Sequence, residues 1–180
     1  AVSYEEMVRR ADKIGQTIGR RCLVFSMCRN CVDSVIGYIG ILRCHAVSVM
    51  IAEHIVPELL ADLLETYHPA YFYLPTEHTA LAPHGTAVWS GGYTLLQLDY
   101  EQDYELADEL ALLLTTSGST GSPKLVRQSV RNIESNTRSI VEYLGITEND
   151  RAITTLPMSY TYGLSILQTH LAQGAAVILT

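Results

Sequence analysis

The spacing of apolar positions changes period along the chain, and each change predicts an element. Ser3 and Glu6 read as a capping box, and Val8, Ala11, Ile14, Gly15 and Ile18 follow at helical spacing. Leu23 to Met27 is a short apolar run of strand length. Val35, Ile36, Ile39 and Leu42 predict a second helix, and Ala46 to Ile51 a second strand. Pro57 suits the first turn of a third helix, with Leu59, Leu60, Leu63 and Leu64 as its apolar face. Tyr71 to Leu74 is a third strand. These strands are apolar almost throughout, as strands covered on both faces should be.

The stretch 75–92 is richer in Pro, Gly, His and Thr and reads mostly as loop, with a short strand at Ala87, Val88 and Trp89. Asp99, Glu101, Asp103, Glu105, Asp108 and Glu109 form an acidic run without Lys or Arg. A metal site is one use of such carboxylates; a solvated linker is the reading adopted. Leu110 to Thr115 is a strand and Leu125 to Gln128 a short extended piece. Ser129 can cap a helix carrying Ile133, Thr137, Ile140, Val141 and Leu144, which Gly145 ends. Ala152 to Leu156 is a strand, Leu164, Leu167 and Leu171 mark a helix ended by Gly174, and Ala176 to Thr180 is a last strand. The alternation predicts an α/β fold, a mostly parallel sheet layered between helices. Its parts are a first βα portion 1–98, an acidic linker 99–109 and a second portion 110–180.

Composition narrows the function classes. Of 180 residues, 48% are apolar and 17% charged, enough for a core and too little charge for a disordered chain. The net charge of −7 argues against a nucleic-acid module, which would show a basic face. No apolar run approaches the roughly 20 residues of a membrane span. The start, Ala1 to Glu6, lacks the basic and apolar regions of a signal peptide. A start without Met and an end in strand-like Val177 to Thr180 lead us to expect a piece of a longer chain. Four cysteines include one C-x-x-C, Cys28 and Cys31, where a redox pair or half a zinc site are alternatives. With no second C-x-x-C, packed thiols in a reduced, cytoplasmic protein is the reading adopted. The six histidines show no metal-ligand spacing.

The chemistry-bearing segment follows the strand at Leu110. Between Thr115 and Lys124 the chain carries Thr115, Thr116, Ser117, Ser119, Thr120 and Ser122, with Gly118 and Gly121. Glycines let a main chain approach a ligand closely, and consecutive N–H groups in such a loop form an anion-binding nest. Lys124 adds a point charge, so the set suits a polyphosphate. It is neither the G-x-x-x-x-G-K-[ST] loop nor the dinucleotide G-x-G-x-x-G.

The run Thr116-Ser117-Gly118-Ser119-Thr120-Gly121-Ser122-Pro123-Lys124 resembles the signature loop of the adenylate-forming enzymes. That superfamily comprises acyl- and aryl-CoA synthetases, adenylation domains of nonribosomal peptide synthetases, and luciferases. Ser3 to Asp12 and Val32 to Ala46 resemble the family's early helices, and Leu156-Pro157-Met158-Ser159-Tyr160-Thr161-Tyr162-Gly163-Leu164 resembles its next core motif. Two positions depart from the family: Tyr160 and Val130 stand where it often has His. The resemblance implies ATP-dependent carboxylic acid activation with Mg²⁺, then acyl transfer to CoA or the phosphopantetheine of an acyl carrier protein. It implies that Thr116, Ser117, Gly118, Ser119, Thr120, Gly121 and Lys124 bind ATP phosphates and that Thr120 lies near Mg²⁺. It implies that Tyr160, Tyr162 and Gly163 line the acyl pocket. The family's T-G-D and G-x-T-E segments and its small C-terminal domain are not found here, so the piece alone is expected to be inactive and to self-associate through uncovered surface. An amino-acid adenylation domain is the near variant, and a non-catalytic nucleotide-binding module the rival from another class.

Overall fold

A computed structural model describes residues 1–82, 84–102, 104–115 and 125–180. Five helices alternate with nine strands among these residues. The helices are α1 Tyr4–Ile18, α2 Val32–Arg43, α3 Pro57–Tyr67, α4 Val130–Leu144 and α5 Thr161–Ala172. The strands are β1 Leu23–Cys28, β2 Val47–Ala52, β3 Tyr71–Pro75, β4 Thr86–Ser90, β5 Tyr93–Gln97, β6 Leu110–Thr115, β7 Leu125–Ser129, β8 Arg151–Thr154 and β9 Ala176–Leu179. The first seven strands form one sheet in the order β4-β5-β3-β1-β2-β6-β7, and β8 and β9 form a parallel pair.

The heart of the sheet is parallel, as the apolar runs predicted: β3-β1-β2-β6, with Phe25 opposite Phe72 and Val49, and Val49 opposite Leu113. Antiparallel strands flank it on both sides. Strand β5 escaped the sequence reading, as did the 3₁₀ turn Thr76–Leu81 inside the expected loop. Gly91-Gly92 between two short β-prone runs was the hairpin signal for β4 and β5. Because β6 pairs with β2, the chain on both sides of the acidic run 99–109 shares one sheet. That run is docked as well as solvated. Asp99, Glu101, Glu105, Asp108 and Glu109 are exposed, while Tyr100, Tyr104 and Leu106 pack on the core. The Tyr104 hydroxyl donates to the Tyr67 carbonyl at 2.6 Å.

Two layers cover the sheet. On one side Leu60, Leu63 and Leu64 of α3 pack on Leu23, Phe25, Val47 and Val49. On the other, Ala11 and Ile14 of α1 and Ile36 and Ile41 of α2 cover Val24 and Tyr73. Beside them, Leu164 and Leu167 of α5 reach Cys28, Met50, Leu112 and Leu114. Each such fully buried side chain contributes roughly 1.5–3 kcal/mol of transfer free energy.

The helix ends follow local chemistry. Ser129 Oγ accepts from Asn132 N at 3.1 Å, Asn132 Oδ1 accepts from Ser129 N at 3.0 Å, and Gly145 closes α4 at φ +63°. Ser3 caps α1 by accepting from Glu6 N at 3.2 Å, but the reciprocal half of the predicted box is missing. The Glu6 carboxylate turns to Arg9, at 2.8 and 2.9 Å, because a full charge outcompetes a backbone N–H. No residue of α4 is fully buried, but Ile133, Thr137, Ile140 and Val141 are half-buried, Ile133 against the group that includes Leu112, Leu164 and Leu167, while Tyr143 and Leu144 are exposed.

Candidate functional site

The parallel strands end together at Cys28, Ala52, Pro75 and Thr115, so their carboxyl ends make one edge of the sheet. In open α/β sheets ligands bind outside such an edge. Residues 116–124 join β6 to β7 there. Thr115 stands opposite Leu125 and Leu114 opposite Val126, which fixes where the connection leaves and rejoins the sheet. The predicted phosphate-binding residues Thr116, Ser117, Gly118, Ser119, Thr120, Gly121 and Lys124 lie outside the described residues.

The second predicted group is brought to the same edge by a residue the sequence reading missed. Asn30 follows β1, and its Nδ2 donates to the carbonyls of Thr154 at 2.9 Å and Leu156 at 3.2 Å. One side chain thus ties the segment after β8 to the carboxyl end of β1. Met158 lies 3.3 Å from Ser34 Oγ and is 3% exposed, so the segment is also anchored in the core. Tyr160, Tyr162 and Gly163 then fall at the amino end of α5. Tyr160 is 56% exposed and Tyr162 68%, so neither packs in the core. Gly163 is buried, and a Cβ there would stand 2.4 Å from the Pro157 carbonyl oxygen and 2.6 Å from that of Leu156. No side chain caps α5, which leaves N–H groups of its first turn open to an acceptor. Gln168 of α5 donates to the Tyr38 hydroxyl at 2.6 Å, and burial pushes the Tyr38 pKa up to about 12, so the phenol stays protonated.

A charge cluster borders this edge. Arg29 reaches Glu53 Oε1 with Nε at 2.5 Å and Glu77 Oε1 with Nη1 at 2.7 Å. Its Nη2 lies 3.1 Å from His78 Nε2. An always-charged guanidinium only donates, so His78 accepts through Nε2 in this geometry. The Glu77 carboxyl sits below its ordinary range, held by a backbone hydrogen bond and by Arg29.

Cys28 and Cys31 are both free thiols; Cys28 is buried and Cys31 stands at the start of α2. Burial pushes the Cys28 thiol far above its ordinary range. Since the thiolate is the reactive form, Cys28 should resist Ellman's reagent in the native protein at pH 8 and react on urea unfolding. Among the described residues no group of three or more His, Cys, Asp or Glu is placed to hold a metal ion. None of the described helices is long and apolar enough to cross a membrane.

Fold and edge define an open α/β architecture, and comparison with known proteins gives the family. The pattern of the family AMP-binding enzyme matches residues 1–180, and the chain belongs to it. The 2-succinylbenzoate–CoA ligase of Bacillus velezensis is 41% identical over 76 residues, covering 42% of this chain and 16% of the ligase. Tyrocidine synthase 3 of Brevibacillus parabrevis is 28% identical over 193 residues, covering 99% of this chain and 3% of that protein. Among solved structures, o-succinylbenzoate CoA synthetase from Bacillus subtilis with its acyl-adenylate intermediate superposes with TM-score 0.78 at 21% identity. That match covers 99% of this chain and 50% of the synthetase. ATP-bound MatB from Rhodopseudomonas palustris gives TM-score 0.80 at 22% identity, covering 99% of this chain and 40% of the MatB chain. The chain therefore spans half or less of the length of these proteins.

Proposed function

We propose that this chain is the phosphate-binding part of an enzyme that activates a carboxylic acid with ATP and passes the acyl group to a thiol. The observation that carries the reading is the match to AMP-binding enzymes over residues 1–180, together with the pairing of Thr115 and Leu125, the residues on either side of 116–124, at the carboxyl edge of the parallel strands. In the first half-reaction a carboxylate oxygen attacks the α-phosphorus of ATP and pyrophosphate leaves. In the second, the sulfur of CoA or of a carrier protein's phosphopantetheine attacks the acyl carbon and AMP leaves. The protein's work in the first half is positioning and charge stabilisation.

In this reading the backbone of Thr116 to Gly121 and the hydroxyls of Thr116, Ser117, Ser119 and Thr120 cradle the phosphates. Lys124 neutralises charge on the outer phosphates, and Thr120 is the residue that would hold Mg²⁺. The donor set fits: hydroxyls and a lysine suit phosphate oxygens, and a hydroxyl oxygen suits a hard cation. Bound there, Mg²⁺ would neutralise charge on the phosphate oxygens. Tyr160, Tyr162 and Gly163 form the wall of the acyl pocket, and Asn30 positions that wall against the phosphate loop. Residues 1–98 and 110–180 act as one scaffold joined by the segment 99–109.

The near variant, an amino-acid adenylation domain, is supported by the end-to-end match to tyrocidine synthase 3, and the CoA-ligase reading by a match to a probable CoA ligase of Humulus lupulus over 83% of this chain. The four free thiols suit a reducing cytoplasm. Ile153 and Ile178 stand opposite each other on the open face of β8 and β9, half exposed, which supports self-association of the 180-residue piece.

The test is ATP–pyrophosphate exchange by a full-length protein containing this chain, over a panel of fatty, aromatic and amino acids. Exchange with one acid class is expected. Lys124→Ala should lower it by tenfold to a hundredfold, the worth of about 1.5–3 kcal/mol for a charge-assisted contact. No exchange with any acid by a folded protein that still binds ATP would overturn the reading in favour of a non-catalytic module.

A further inference from the structure

A cavity of about 330 Å³ lies on the α3 side of the sheet, away from the edge described above. Leu98, on its floor, donates its N–H to the Ala70 carbonyl at 3.0 Å, which places the floor at the amino end of β3. The phosphate loop leaves the carboxyl end of the parallel strands, so the two sites occupy opposite edges. Leu64, Leu81 and Leu98 make the cavity apolar inside, and Leu64 and Leu98 belong to the main core.

Among the described residues the wall carries two carboxylates, one imidazole and one phenol. Glu65 and Asp99 both line the cavity, and neither has a Lys or Arg partner among the described residues. No Lys or Arg lines it either; His84 is the one basic side chain of the lining. Tyr100 is fixed in place. Its ring stacks on His68 with centroids 5.0 Å apart and planes 10° apart, and its hydroxyl donates to Glu65 Oε1 at 3.0 Å. That bond leaves the second oxygen of Glu65 available. Pockets of this size are ordinary for small ligands, in which apolar walls supply affinity and a few convergent polar groups fix orientation. Two carboxylates beside an aromatic wall select a cation. A bare metal ion is disfavoured, since no group of three ligating side chains converges among the described residues.

We propose that this cavity binds a small organic cation, an ammonium group carried on an aliphatic or aromatic body. The ammonium sits between Glu65 and Asp99 and the body lies on Leu64, Leu81 and Leu98. The cavity lies at the edge of the sheet opposite the one proposed for acid activation.

The probes are benzylammonium and hexylammonium, with benzyl alcohol and benzoate as neutral and anionic counterparts, titrated at pH 8 into the full-length protein saturated with ATP. Saturable binding of both amines near or below about 1 mM is expected, with the alcohol and the acid at least tenfold weaker. The double variant Glu65→Gln, Asp99→Asn should lose at least tenfold in amine affinity without loss of folded signal. Leucine-methyl NMR of the unmutated protein gives a second readout, with shifts expected at Leu64 and Leu98. Equal affinity for benzyl alcohol, no saturation by 10 mM amine (roughly tenfold above the expected constant), or shifts elsewhere than Leu64 and Leu98 would each overturn the proposal.

Discussion

Gly37→Val should cost about 3 kcal/mol of stability, at the upper end of what overpacking a core does. A Cβ built on Gly37 in α2 would lie 2.0 Å from Cε1, 2.4 Å from Cδ1 and 2.7 Å from Cζ of Tyr73. Helix and sheet therefore touch with no room for even a methyl group. The Tyr73 ring has nowhere to go. It is fully buried, stacked on Tyr93 with centroids 4.8 Å apart, and next to Trp89 at 6.2 Å. Its hydroxyl donates to the Asp33 carbonyl at 2.8 Å, back on the helix that carries Gly37. Relief would require α2 to lift off β3, and α2 is itself pinned by Gly40, where a Cβ would meet the Ala11 carbonyl oxygen at 2.6 Å. Urea unfolding checks this: the midpoint should fall with an unchanged slope. At about 2–4 °C per kcal/mol for a domain of this size, the melting temperature should drop by roughly 10 °C. A midpoint within error of the parent would mean that the α2–β3 contact is looser than the structure has it.

The same contact shows what a sequence reveals and what it hides. The helix at Val35 and the strand at Tyr71 were both legible, because each carries its own period of apolar residues. That Gly37 exists to admit Tyr73 was not, since nothing local connects them. Strand β5 was missed although signalled: Tyr93 to Gln97 follows the Gly91-Gly92 turn and pairs antiparallel with both β3 and β4. Helix α4 was predicted from an amphipathic stripe, and the structure half-buries that stripe at Ile133, Thr137, Ile140 and Val141 while leaving Leu144 exposed. Periodicity states that a helix has an apolar face, not what covers that face.

At the edge proposed for the site, the phosphate-loop reading of 116–124 rests on composition, because phosphate recognition needs glycines, hydroxyls and a lysine packed into one short run. The acyl-wall reading of Tyr160, Tyr162 and Gly163 rests on family resemblance, and the structure places the three at the amino end of α5. Asn30 was not legible at all. An asparagine after a strand is an ordinary residue until its two hydrogen bonds to Thr154 and Leu156, more than a hundred positions on, are known. Residues that touch ligands tend to cluster in sequence, whereas residues that position them act across the fold.

Gly163→Val should therefore cost acid activation at least a hundredfold in the full-length enzyme. Its Cβ would press on two carbonyl oxygens, Pro157 at 2.4 Å and Leu156 at 2.6 Å, against an ordinary contact beyond about 3.4 Å. Backbone oxygens cannot rotate away as a side chain tip can. Either α5 shifts by about an ångström or the segment 156–160 does. Leu156 is held by Asn30 and Met158 by the core, so the movement falls on the first turn of α5, which carries Tyr162 and follows Tyr160. A displacement of that size near reacting groups costs on the order of 10²-fold in rate. The distinguishing readout is the split between parameters. Acid-dependent exchange should collapse while ATP binding, measured by equilibrium titration, stays within about threefold, because the loop 116–124 grows from β6 and β7 and not from α5. If ATP affinity falls in parallel with exchange, Gly163 supports the whole edge rather than the acyl wall, and the division of labour proposed for the two segments is wrong.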